Sequence, residues 1–311
     1  MNILITGGAG YIGSVLVPIL LKKNFHVTVL DNFLFKQNSI QKLGQNINLK
    51  IVNGDVRDKK IVKELLSKAD LIIPLAALVG APLCDKFPKD AKEVNLESIS
   101  FLNSQLSKEQ HVILPVSNSG YGIGKPGEFC TEQSPLNPIY LYGRTKVQSE
   151  KIIMERENSV SFRLATVFGM SPRMRTDLLV NYFVNKAITE KKIEIFEGNF
   201  KRNYVHIKDV ANVFNFTIEN FNKMKSNTFN FGLENANFSK IELAEKIKTH
   251  VKEFEIIISE NGTDPDKRDY IVSNKKILEA GYEFENDLDK GIKELLSELP
   301  KLSTEINYSN V

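Results

Sequence analysis

Short apolar runs and longer amphipathic stretches alternate through the first half of this chain. Strand-like runs fall at 2–6, 26–30, 49–53, 70–74, 111–116 and 159–164. Helical spacing marks 11–23, 58–68, 88–107 and 138–157, with a weaker pattern near 36–44. Strands that alternate with helices at this rhythm predict an α/β fold built on a doubly wound parallel sheet. The second half is less regular. It predicts helices at 177–190, 239–252 (Ser239 as cap) and 287–298, and another beginning at Asp209-Val210. Strands are expected at 193–197 and 227–231, and the tail beyond Pro300 is expected to fray.

In such a sheet, ligands bind at the carboxyl ends of the strands, and the chemistry-bearing residues of this sequence cluster there. The first strand runs into Thr6-Gly7-Gly8-Ala9-Gly10-Tyr11-Ile12-Gly13. Glycines three apart suit a sharp turn, bare backbone against a ligand and a helix packed closely on its strand. The free N–H groups at the start of that helix favour a pyrophosphate. The second strand ends at Asp31-Asn32, where a carboxylate accepts hydrogen bonds from an adenosine ribose and repels a 2′-phosphate. No basic residue follows until Lys36, which favours NAD over NADP. Asp55-Val56, after the third strand, is placed to hold the adenine, and Leu75-Ala76-Ala77, after the fourth, lets a cofactor lie against backbone. Val79 to Asp85 then forms a loop over the site, with Pro82 and Cys84 in reach of a substrate, and Asn95 is placed to brace a neighbouring loop.

Composition narrows the class without changing this picture. At 311 residues with net charge +3, the chain can bury a large core and has no basic block of the kind nucleic acid needs. Two cysteines, Cys84 and Cys130, have no metal-ligand spacing and form no disulfide framework, so no metal is expected. No apolar run approaches membrane-spanning length, and the chain opens on its first core strand, which leaves no room for a signal peptide. A cytoplasmic protein without a membrane or nucleic-acid partner is the expectation.

The fifth strand delivers Ser117-Asn118-Ser119-Gly120-Tyr121-Gly122, polar residues that must meet solvent or a ligand. Asn137 and Pro138 then read as N-cap and first residue of a helix carrying Tyr142 and Lys146 four apart on one face. A tyrosine has a reference pKa of about 10. A nearby ammonium and a cationic nicotinamide each favour the phenolate. Lowering the phenol by roughly 3 takes about 4 kcal/mol, within reach of two close cations in a dry cleft. Tyr142 would then remove a hydroxyl proton as the carbon beneath releases hydride, with Lys146 on the nicotinamide ribose and Ser117 orienting the substrate oxygen.

Together, Gly7, Gly10, Gly13, Asp31-Asn32, Gly54-Asp55-Val56, Leu75-Ala76-Ala77, Asn95, Ser117, Tyr121-Gly122, Tyr142-x-x-x-Lys146, Arg163 and Arg202-Asn-Tyr204-Val-His206-Ile-Lys-Asp209-Val210 resemble an extended short-chain dehydrogenase/reductase of the nucleotide-sugar epimerase/dehydratase type. The resemblance spans nearly the whole chain. It implies a Rossmann-type NAD domain (1–165 with about 204–228) and a smaller α/β lobe (about 166–203 with 229–311) that binds a nucleoside-diphosphate sugar. It implies catalysis by Ser117, Tyr142 and Lys146, and cofactor contacts from Gly7, Gly10, Tyr11, Ile12, Gly13, Asp31, Asn32, Asp55, Val56, Leu75, Ala76, Ala77, Asn95, Tyr142 and Lys146. On the substrate side it implies Ser117, Asn118, Ser119 and Tyr142, with Thr166 where relatives often carry an asparagine. Arg202 stands where the family grips a diphosphate, and Arg268, in Asp264-Pro-Asp266-Lys-Arg268, takes the place of a late phosphate-binding arginine. Arg173 and Arg175, in a basic loop after the sixth strand, are also expected to bind the substrate, and His206 reads as structural.

Family dehydratases carry an Asp-Glu pair directly after the catalytic Ser or Thr; here Asn118 and Ser119 stand there, and neither is a base. Epimerisation at C4 and net oxidation to a 4-keto sugar both remain open, as does a non-catalytic dinucleotide-binding regulator, which would normally lack the tyrosine or lysine. The Val79 to Asp85 loop, the Ser117 to Gly122 strand end and Ser171-Pro-Arg173-Met-Arg175 look closest to the GDP-manno-heptose 4-dehydrogenase branch of bacterial capsule synthesis. The family also implies a homodimer or higher oligomer paired through helices 88–107 and 138–157, in line with apolar Ile152, Ile153 and Met154.

Overall fold

The computed structural model describes residues 1–36, 39–262, 266–303 and 306–310. Seven parallel strands form the central sheet in the order Asn227–Phe231, Ser159–Leu164, His111–Ser117, Leu71–Pro74, Asn2–Thr6, His26–Asp31, Leu49–Asn53. The order reverses between Asn2–Thr6 and Leu71–Pro74, and the crevice at such a reversal is where this architecture binds ligands. Central strands are apolar on both faces, and Ile3, Leu4, Ile5, Ile72, Ile73, Val112 and Ile113 are all buried because helices cover each side. Helix Gly13–Lys22 lies on one face beside Ile207–Glu219, which packs back on this lobe and starts two residues before the expected Asp209.

Sequence and structure differ at instructive places. The Asn227–Phe231 strand extends the seven-stranded sheet, so a first-lobe boundary near 228 falls inside a strand. The stretch 88–107 is broken by a π turn over Glu93–Glu97, between helices Pro88–Lys92 and Ser98–Gln105. Such insertions mark functional positions, and this one turns Asn95 toward the fourth strand's end. The Tyr142 helix starts at Leu141, not Pro138. The preceding residues stay extended, with Tyr140 at φ −100°, its hydroxyl accepting from Lys267 N–H (2.9 Å) and the Ile139 carbonyl accepting from Arg144 (2.6 Å). One long-range and one local bond together override a good local capping signal. Of the weak 36–44 helix, 37 and 38 lie outside the described residues, and Gln41–Leu43 makes one short turn.

The second lobe joins helices Leu179–Thr189, Lys240–Lys248 and Leu288–Glu298 around its own core, with Phe168, Val184, Ile193, Tyr204, Leu243 and Ile292. Ser239 caps its helix in a full capping box with Glu242. A small sheet pairs Lys201–His206 with Thr166–Phe168 and Asn237–Ser239, and a second pairs Lys192–Phe196 with Glu255–Ser259. Beyond Pro300 the described tail is docked rather than frayed, the Thr176 N–H donating to the Tyr308 carbonyl (3.0 Å). Ile153 belongs to the core, and Ile152 and Met154 are half-buried. No described helix is long and apolar enough to cross a membrane.

Candidate active site

A cleft of about 1060 Å³ runs along the carboxyl ends of the strands, from Asp31 and Phe35 at one end to Arg202, Asp266 and Arg268 at the other. That is at the upper end of small-molecule sites, roughly 300–1,000 Å³. Gly7, Gly10, Tyr11, Ile12, Gly13, Asp31, Asn32, Asp55, Val56, Leu75, Ala76, Ala77, Ser117, Tyr142, Lys146, Thr166, Arg173, Arg175, Arg202 and Arg268 all line it. Asn95, Asn118 and Ser119 do not.

At the cofactor end the turn is set by backbone proximity. Gly7 has φ +71°, and a Cβ there would sit 2.5 Å from the Ala76 nitrogen. A Cβ on Gly13 would sit 2.5 Å from the Gly8 backbone. The glycine turn, the fourth strand's end and the first helix therefore meet without side chains between them. Asp31 accepts from the N–H groups of Ala9 (2.9 Å) and Phe33 (2.8 Å), which fix its carboxylate at the rim. Burial raises the Asp31 pKa, against those bonds and the charge of Arg173. Asp55 is held otherwise: Arg57 grips it through two nitrogens (2.9 and 2.8 Å) and Asn32 donates to it (3.1 Å), keeping its pKa down at about 2. Asn95 is a brace, its amide bonding both ways with Leu78 (2.8 and 2.9 Å).

The candidate reacting centre, Ser117, Tyr142 and Lys146, lines the cleft. Ser117 and Tyr142 share its wall, and Lys146 sits one helical turn beyond Tyr142, buried. Burial pushes Tyr142 up to about 12, with the buried Cys84 thiol adding to the rise and Arg268, Arg175 and Ser117 opposing it. Burial brings Lys146 down to about 8. This corrects the expectation of a phenol lowered by its lysine: enclosure alone removes hydration from both charged forms. Cys84 is not in the cleft, because Ala81–Lys86 forms a short helix that turns its thiol inward to the Leu78 carbonyl (3.2 Å), while Pro82 stays on the wall. Asn118 and Ser119 are buried behind the wall, their side-chain polar atoms without a hydrogen-bond partner among the described residues. Nearby, Arg163 grips Glu150 (2.8 Å) and donates to the Tyr121 hydroxyl (3.1 Å), a buried frame behind the site. His206 pairs with Glu294 (2.8 Å) and caps its own helix.

The far end is charged. Asp266 ion-pairs with both Arg202 (3.1 Å) and Arg268. Burial raises the Asp266 pKa, but the hydrogen bond and charge of Arg268 and the charge of Arg202 outweigh it and hold the carboxyl well below its usual range. Asp264 and Pro265 of the same motif lie outside the described residues. Spacing did not reveal that the loop after Thr166–Phe168 is tied to the glycine turn. The Tyr11 hydroxyl donates to the Gly169 carbonyl (2.6 Å) and accepts from Asn181 (3.0 Å). Ser171 bonds Ser14 (2.9 Å) and donates to the Tyr11 carbonyl (2.8 Å). Neither Ser14 nor Asn181 carried a motif signal, and Ser171 was named only as the start of the Ser171–Arg175 loop.

A dinucleotide fits this donor set: backbone N–H groups and a helix start at the turn, a carboxylate at the ribose position and small residues on the next strand. The family model described as "NAD dependent epimerase/dehydratase family" matches residues 3–232. A putative UDP-glucose 4-epimerase of Methanocaldococcus jannaschii is 29% identical over 67% of this chain and 70% of that protein. The low-salt glycan biosynthesis protein Agl12 of Haloferax volcanii is 25% identical over 94% of this chain and 96% of its own. Among solved structures, UDP-glucuronic acid 4-epimerase of Bacillus cereus, in complex with UDP-glucuronic acid and NAD, superposes with a TM-score of 0.85 at 21% identity, covering 97% of this chain and 100% of that one.

Proposed function

This chain belongs to the NAD-dependent epimerase/dehydratase family and is an NAD-dependent enzyme; from that premise we propose that it oxidises a nucleoside-diphosphate sugar at C4, with Tyr142 as base, in cytoplasmic synthesis of cell-surface polysaccharide. The observation that carries the reading is the gathering of Ser117, Tyr142 and Lys146 on the wall of one cleft, with Lys146 one helical turn from Tyr142. NAD, when bound, supplies the hydride acceptor. Ser117 holds the C4 hydroxyl oxygen and Tyr142 takes its proton. Moving the phenol from about 12 to neutrality takes roughly 7 kcal/mol. Tyr142 accepts the proton only as phenolate, so that cost has to be met by cations near the phenol, to which the nicotinamide of bound NAD would add, before proton and hydride leave the substrate. Arg202 and Arg268 bind the diphosphate, with Asp266 holding them apart until it arrives. Asn118 and Ser119 supply no carboxylate for elimination, which argues against a 4,6-dehydratase.

GDP-manno-heptose is the substrate favoured by the Val79 to Asp85, Ser117 to Gly122 and Ser171 to Arg175 segments. A homodimer paired through the helices around 88–107 and 138–157 belongs to the same reading. A second reading is 4-epimerisation, supported by relatives named as UDP-glucose 4-epimerases. The test follows absorbance at the reduced-nicotinamide band while NAD-loaded protein is mixed with GDP-manno-heptose and UDP-sugars. Lasting reduction with a keto sugar supports dehydrogenation. Inversion at C4 without lasting absorbance replaces it with epimerisation. Inertness toward every sugar overturns both.

A further inference from the structure

Among the arginines on the cleft wall, Arg173 stands apart. Arg175 pairs with Asp177, and Arg202 and Arg268 share Asp266. Arg173 is 3% exposed, yet among the described residues no carboxylate lies within ion-pair distance of it. Its partners are neutral: the Asn310 side-chain oxygen accepts from Nη2, the Met174 carbonyl from Nη1 (3.4 Å), and the Phe35 ring lies under the guanidinium, 4.3 Å to its centroid. A buried cation without a carboxylate is costly unless an anion completes it.

The position says which anion. Arg173 comes from the second lobe, but its own N–H donates to Ser14 Oγ (3.2 Å), on the helix that begins at the glycine turn. Its charge is the one felt at Asp31, whereas the arginine charges that reach Tyr142 are those of Arg268 and Arg175. Phe35 follows the second strand, on the ribose-binding edge. Asn310 brings the docked C-terminal segment to the same place.

We propose that Arg173 is a cofactor clasp: it reaches across from the second lobe to complete the anion site for the NAD pyrophosphate, and Asn310 and Phe35 hold it there. The nucleotide sugar's diphosphate is left to Arg202 and Arg268. The clasp makes cofactor retention depend on contact between the lobes, because the loop carrying Arg173 is fastened through Ser171 to Ser14 and Tyr11. It needs only that NAD binds, so it stands or falls apart from the sugar and reaction proposed above.

The test is titration calorimetry with two probes, NAD on the cofactor-stripped protein and UDP or GDP on the NAD-saturated protein. Arg173→Ala is expected to weaken NAD by on the order of tenfold to a hundredfold, the range for hydrogen bonds to a charged group, and to speed NAD release after desalting, with UDP and GDP affinities within about twofold of wild type. Arg202→Ala is expected to do the reverse. Unchanged NAD affinity in Arg173→Ala overturns the clasp, and so does a loss of UDP or GDP affinity as large as the loss for NAD, which would assign Arg173 to the sugar's diphosphate. Should Arg173→Ala not fold, Asn310→Ala leaves the arginine in place but unheld. A several-fold weakening of NAD there supports the clasp, and wild-type affinity overturns it.

Discussion

The two ends of the cleft are built on opposite principles. The cofactor end is made by what side chains leave out: Gly7 against Ala76, Gly13 against Gly8, and backbone N–H groups holding Asp31. The substrate end is made by side chains that hold each other, with Asp266 between Arg202 and Arg268 and Arg175 against Asp177. The first is rigid before any ligand arrives. The second is a set of ion pairs that, on the proposed reading, a diphosphate enters and rearranges. On that reading, one end fixes position and the other can be retuned for different sugars by changing a few loop charges.

Substitutions separate the two ends, the largest effect first. Gly13→Ala places a methyl 2.5 Å from the Gly8 backbone, which has no flexible end to give way. Loss of measurable NAD binding is expected, and calorimetry showing wild-type NAD affinity would refute the packing argument. Glu150→Ala strands Arg163 in the frame behind the site, a change of about 3–5 kcal/mol for a broken buried pair. Denaturant unfolding reads this directly, and a loss under about 1 kcal/mol would mean that the pair is not a structural support. Arg202→Ala at the other end should leave NAD binding and stability near wild type while weakening UDP or GDP by about ten- to a hundredfold.

The smallest effect is electrostatic. Lys146 has its pKa lowered from 10.5 to about 8. Between those values the unfolded chain binds more protons than the folded one, so stability rises with pH across that window. At pH 7 the buried ammonium costs folding at most about 3 kcal/mol, recovered as pH climbs past 8 toward 10.5. In cofactor-free protein, the stability of wild type relative to Lys146→Met should improve from pH 7 to 10. A flat difference would show that the ammonium is better solvated than its burial implies.

The same contrast explains what was legible in the sequence. Glycine spacing and strand-end aspartates report backbone demands that few residue types satisfy, so the first lobe and its turn were readable, as was the gathering of Ser117, Tyr142 and Lys146 at one cleft. The substrate end was partly readable. Arg202 and Arg268 could be named, but not that Asp266 holds them. Arg173 and Arg175 look alike in sequence, and only the fold sends one to Phe35 and Asn310 and the other to Asp177. The helix start at Leu141 was missed because the bond between Tyr140 and Lys267 spans 127 residues. Asn118 and Ser119 were misplaced on the cleft wall because a strand end shows which residues arrive there and not which way each one turns.

The central claim is that Tyr142, which shares the cleft wall with Ser117, moves the proton that accompanies hydride transfer from a nucleotide sugar. The most direct measurement is a single-turnover absorbance trace at the reduced-nicotinamide band, run side by side on wild type and Tyr142→Phe with matched NAD content. The expected result is equal NAD in both proteins and a rate in the variant slower by about two to four orders of magnitude, the usual share of a general base. Wild-type reduction by Tyr142→Phe would contradict it.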